Sequence, residues 1–145
     1  MRFQNAAFER RTANRDGVLF RPSGEFLILA ESGELRWSYR RNLHASSFAD
    51  LYLAYEPAPR LSIQFVLEWP QHLESGYVGQ LRVAIASGIY DALVGGTPSP
   101  VGIAFTVHGI GWDDIGSSEM AFFRAASEAA AHLAATSAWR ACVAI

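Results

Sequence analysis

Two adjacent aspartates, Asp113 and Asp114, sit in the one stretch of this sequence that concentrates chemically capable side chains, His108 to Phe122. A pair of carboxylates can hold a metal or perform acid–base work. Neighbours on an extended segment point apart, however, and loop aspartates commonly cap turns, so capping or solvated roles are expected. Ser117 has no histidine within sequence reach to activate it, and Glu119 is placed as a partner of a helix dipole rather than as a base. The four histidines, His44, His72, His108 and His132, are not spaced with each other, with Cys142 or with carboxylates as a zinc site requires. No catalytic residue, metal site or cofactor is assigned, and the chain is expected not to be an enzyme. Trp112 is left with two readings. It folds back over a sheet edge, or it stands out as a stacking or anchoring residue for RNA or protein.

The surrounding residues say what must position this stretch. Val101 to Val107 reads as a strand. Gly109, Gly111 and Gly116 punctuate a loop in which positive φ would make a tight tip. Ser117 or Ser118 can cap an alanine-rich helix from about 118 to 135, with Glu119 in its first turn. An earlier helix is predicted over 77–94, where Val78, Leu81, Ile85 and Ile89 share a face and Gly95-Gly96 ends it. Three short β-prone runs (17–21, 25–31 and 34–40) suggest an N-terminal antiparallel meander. Two longer strands follow, over 50–56 and 61–69, and an apolar run over 139–145 closes the chain. In the second of the longer strands the odd positions are all apolar, which assigns its core side. The expected core comprises Leu61, Ile63, Phe65, Leu67, Val78, Leu81, Ile85, Ile89, Phe105, Phe123 and Leu133.

The segment 108–122 resembles domain IV of the translational GTPase elongation factor G. There a strand passes through Gly-Ser-Tyr-His-Asp-Val-Asp-Ser-Ser-Glu-Leu-Ala-Phe into a helix. Asp114, Ser117, Ser118, Glu119, Ala121 and Phe122 match it, with Trp112 in place of Tyr, Ile115 of Val and Met120 of Leu. Tyr77 to Leu93 is similar to the family's preceding helix, and Phe48 to Pro57 to its first long strand. The resemblance implies an α+β fold of the ribosomal protein S5 domain 2-like type, with a mixed or antiparallel sheet and both helices on one face. It also implies a tip contacting the ribosome, and so nominates Gly109, Gly111, Trp112, Asp113 and Asp114. A second tip loop corresponds to 43–47, making His44, Ser46 and Ser47 further candidates. The family's tip histidine is Asp113 here, and the second loop lacks the family's glycines and arginine.

Length and composition set the outer bounds. The 145 residues suit one domain, with residues 1–45 as a β extension of unassigned type and about 48–145 as the domain-IV-like part. Half the residues are hydrophobic, which excludes global disorder, and the single cysteine excludes an internal disulfide. There is no P-loop and no lysine to serve one, so the chain is not expected to be a GTPase. Charge is uneven: residues 1–45 hold eight arginines against five acids, and residues 46–145 four against nine. No apolar run approaches a membrane span and no secretory signal is seen, so a cytoplasmic location without membrane contact is expected. Two kinds of partner remain: ribosome or RNA met by the tip, or a protein partner or self-association of the same fold.

Overall fold

The computed structural model describes residues 17–41 and 47–144. Seven strands and two helices follow in order: β1 (Gly17–Phe20), β2 (Gly24–Leu29), β3 (Gly33–Arg41), β4 (Ser47–Pro57), β5 (Leu61–Phe65), α1 (Ser75–Leu93), β6 (Ser99–Gly111), α2 (Glu119–Thr136) and β7 (Trp139–Ala144). All seven strands join one mixed sheet, and the domain is α+β.

The long strand β6 organises the sheet. Its residues 103–111 pair antiparallel with β4, residues 104–107 pair parallel with β5, and its first residues pair parallel with β2. Parallel neighbours need a crossover, and α1 supplies it between β5 and β6. The outer strands are β3 on β4, β1 on β5 and β7 on β2. The three N-terminal runs are strands as read, but they do not form a meander. β1 pairs with β5 and β2 with β6 and β7, all distant in sequence, while β3 pairs with the strand that follows it, β4; their apolar positions find a larger buried surface in the assembled sheet than two short neighbours could offer. Residues 17–41 are therefore part of the same sheet rather than an appended extension.

Alternation along β3, β4 and β6 sorts their side chains. Leu35, Trp37 and Tyr39 lie opposite Leu53, Leu51 and Ala49, and this row faces the helices. Arg36, Ser38 and Arg40 lie opposite Tyr52, Asp50 and Phe48 on the other face. The helices pack closely on each other, which requires that they share one side of the sheet. Gly88 makes that approach possible. A Cβ there would lie 2.4 Å from the Phe123 carbonyl oxygen and 2.9 Å from the Ala126 methyl. The alanines 121, 125, 126, 129 and 130 of α2 are all fully buried, giving the low-relief face on which α1 rests.

Several expectations are corrected. Strand β5 ends at Phe65, not Trp69; Leu67 and Trp69 still pack against the core from irregular backbone. Phe122 rather than Phe123 is the buried aromatic of α2, because the helix begins at Glu119 and turns residues 121, 122, 125 and 126 inward. Val78 is only half-buried. Helix α1 ends where expected, with Val94 N–H bonded to Tyr90 and Gly95 at φ +115°. No helix among the described residues is long and apolar enough to cross a membrane.

Candidate functional site

Strand β6 runs on through Gly111, so the loop that joins it to α2 is 112–118 and not 109–116. Neither Gly109 nor Gly111 has positive φ; Gly24 and Gly95 are the described glycines that do. Their reason is packing. A Cβ on Gly111 would lie 2.8 Å from the Asp50 Cβ, and one on Gly109 would lie 3.1 Å from the Tyr52 ring. Between Tyr52 and Leu53 the register with β6 shifts by one residue, leaving His108 unpaired in a bulge and exposed.

Trp112 turns back rather than out. Its indole stacks on Phe122 at 6.0 Å with 10° between planes, and the Tyr77 ring meets it edge-on at 6.0 Å. The indole Nε1–H donates to Asp114 Oδ1 at 2.7 Å, and His72 Nε2 lies 2.7 Å from the same oxygen. The Trp112 bond, then the His72 bond, hold the Asp114 carboxyl below its ordinary pKa. Burial, followed by the nearby Glu119 charge, pushes the Tyr77 hydroxyl up. Of the two readings of Trp112, the structure therefore favours the one in which it folds back, here onto rings of both helices rather than over the sheet edge.

The rest of the loop is closed by short bonds. Asp113 Oδ1 accepts from the Ile115 amide at 2.9 Å, which makes an Asx-turn. Ser117 Oγ accepts from the Asp113 amide at 2.9 Å and donates to the Phe48 carbonyl at 2.8 Å. The Phe48 amide donates to Gly116 O at 3.0 Å, and the Ser117 amide to Asp113 O at 2.8 Å. Ser118 caps α2 by accepting from the Ala121 amide at 3.1 Å, with Glu119 following in the first turn. Asp113 and Asp114 are thus committed to different partners and do not form a carboxylate pair. Among the described residues no group of three metal-ligating side chains converges. What the loop offers to solvent is Ile115, 89% exposed, directly after the exposed Asp113 and Asp114.

The second predicted loop is reached only in part. His44 and Ser46 lie outside the described residues. Ser47 opens β4 opposite Arg41, one residue before Phe48, so the end of the β3–β4 pair adjoins the 112–118 loop. Glu128, one turn before His132 on α2, is engaged by Trp37 Nε1 at 3.0 Å and Arg41 at 3.3 Å. His132 lies against the Trp37 ring.

A second constellation was not singled out from sequence. Asp50, 3% exposed, accepts from Ser38 Oγ and from Arg36 at 3.0 Å. Burial works to raise its pKa, yet the Ser38 and Arg36 bonds with the charges of Arg36 and Arg40 together outweigh it and lower the pKa. The clean alternation of 34–40 was the available signal, but it does not say which strand lies opposite.

No family model and no curated protein matches the chain. Among solved structures it is similar to a crystal structure of a protein from Thermus thermophilus, with TM-score 0.65 and 21% identity across 83% of this chain. The matched part is 18% of the Thermus chain, so this chain corresponds to a fraction of that protein's length. At this identity the likeness concerns the fold alone. Fold and loop together define an α+β domain that projects a hydrogen-bonded loop from the end of its central strand.

Proposed function

We propose that the chain is a non-catalytic binding domain of the elongation factor G domain IV type, with the ribosomal protein S5 domain 2-like fold. In this reading it docks on the ribosome through the 112–118 loop. The observation that carries it is the exposure of Ile115 on a loop whose turns are already tied down. Such a loop gives up little conformational freedom on binding, so contact energy is not spent on ordering it. The sequence resemblance over 108–122 supplies the kind of partner, and the adjoining β3–β4 end gives the contact a second wall.

A second reading is a protein-interaction module of the same fold with no ribosomal role. It is favoured by Asp113 and Asp114 beside Ile115, since carboxylates repel phosphates and suit a basic-rimmed apolar pocket. Cosedimentation of the purified chain with ribosomes across a salt series tests the first reading. Saturable pelleting is expected, and Ile115→Ala is expected to weaken it by about 2 kcal/mol, a hot-spot amount. Absence of pelleting at low salt would remove the ribosomal reading, leaving the protein-interaction one.

A further inference from the structure

The sheet face turned away from the helices is uncovered by any described element, and its side chains are not those of an idle surface. Along its β3–β4 half, the Arg40 guanidinium lies 4.4 Å from the Phe48 ring centre and that of Arg36 5.1 Å from the Tyr52 ring centre. Phe48 and Tyr52 are half-buried, so each ring keeps an accessible surface, while the Arg36 side chain is 58% exposed. On the neighbouring strand β6, Gly111 and Gly109 lie opposite Asp50 and Tyr52 and contribute no side chain above the sheet. His108, pushed out by the bulge, lies 6.3 Å from the Tyr52 ring.

Charge is sorted along the same face. Asp50 is almost wholly buried and bonded to Ser38 and Arg36, so the arginines and not the carboxylate meet solvent around Phe48 and Tyr52. The exposed acids lie further along: Glu34, 4.0 Å from His108, and Glu56. The two rings stand four residues apart on one strand, roughly 13 Å. Arginine laid on an aromatic ring, repeated along a shallow surface, offers a stacking plane with a phosphate partner beside it, as single strands require. A duplex keeps its base faces inside its own stack and has none to give these rings.

We propose that this open face binds a single-stranded polynucleotide, its bases stacking on Phe48 and Tyr52 and its phosphates meeting Arg36 and Arg40. The site adjoins the 112–118 loop, whose Gly116 and Ser117 bond to the Phe48 backbone, but it uses side chains of the sheet face and does not depend on the role proposed for that loop. Fluorescence anisotropy of a labelled ten-nucleotide oligouridine with the full chain tests it. Saturable binding that weakens with salt is expected. Tyr52→Leu should weaken it at least about fivefold, while Tyr52→Phe keeps it. Arg40→Gln, at an exposed position that does not endanger folding, should weaken it and reduce the salt slope by about 0.7. Arg124→Gln, an exposed arginine on α2, should leave it unchanged. The proposal is overturned if the wild-type chain shows no saturable binding, or if Tyr52→Leu and Arg40→Gln bind as wild type. Equal affinity for a ten-base-pair duplex or for poly-glutamate overturns it as well.

Discussion

Trp112 shows how one side chain's placement redirects a functional argument. Bonded to Asp114 through its indole and held between Tyr77 and Phe122, it ties the loop to the body of the domain. A fully buried tryptophan costs roughly 3–5 kcal/mol when truncated to alanine. Trp112 is half-buried, so Trp112→Ala is expected to cost about 2 kcal/mol in urea melts. A change of less than about 0.5 kcal/mol would mean that the ring is not part of the packing. Asp50 carries the second prediction at this scale. Its pKa is lowered on folding, so it stabilises the fold above the unfolded carboxyl value, about 3.9, and that stability is lost as pH falls through the lower folded value. Asp50→Asn is expected to cost about 1–2 kcal/mol at neutral pH, mostly through the buried oxygen shared with Ser38, since the exposed Arg36 adds little. The gap between the melts of the Asp50→Asn variant and the wild type should close below about pH 4; a gap constant down to about pH 2 would deny the carboxylate this role.

The pairing of α1 with α2 rests on small residues at the crossing. Gly88→Ala would force its methyl against the Phe123 carbonyl, a backbone atom that cannot swing aside. A loss of about 1–3 kcal/mol is expected by thermal or urea unfolding, the usual cost of overpacking. Gly76→Ala, in the exposed first turn of α1, meets only the far end of Glu74 at 3.4 Å and should be neutral or mildly stabilising. Equal responses from the two glycines would show that the crossing is looser than it stands here. Much of this was legible beforehand. The 3.6-residue periodicity of 78–89 placed α1 within two residues at its start and one at its end. On α2, Leu133 is buried as expected but Phe122 takes the place expected of Phe123, because an alanine-rich helix presents apolar residues on nearly every side and leaves little contrast to read.

Among the described residues, the helices pack on one side of the sheet, and the other side carries Arg36, Arg40, Phe48, Tyr52 and His108. No Gly-rich phosphate loop with a lysine occurs in the sequence. Calorimetric titration with GTP and magnesium is accordingly expected to give no saturable heat at micromolar concentrations, and saturable binding there would require a site of another kind.

Periodicity, capping residues and turn chemistry are local properties, and they determined on their own that this chain builds short strands around two helices, where the helices lie, and that Ser118 can open the second. They also placed a loop ahead of that helix. Strand partners are not local. Which strand lies beside β2 depends on the apolar surface available across the assembled domain, and so the expected meander gave way to pairing with β6 and β7. The same holds for the candidate sites. Residues 36–40 and 48–52 read as parts of two strands with nothing to link them until antiparallel register sets Arg40 on Phe48 and Arg36 on Tyr52. Gly109 and Gly111 look like tip glycines in sequence; only the approach of Tyr52 and Asp50 from the next strand reveals them as packing glycines. Trp112 had two readings while its neighbours were unknown, and Tyr77, far back along the chain in α1, is one of the rings that decides between them.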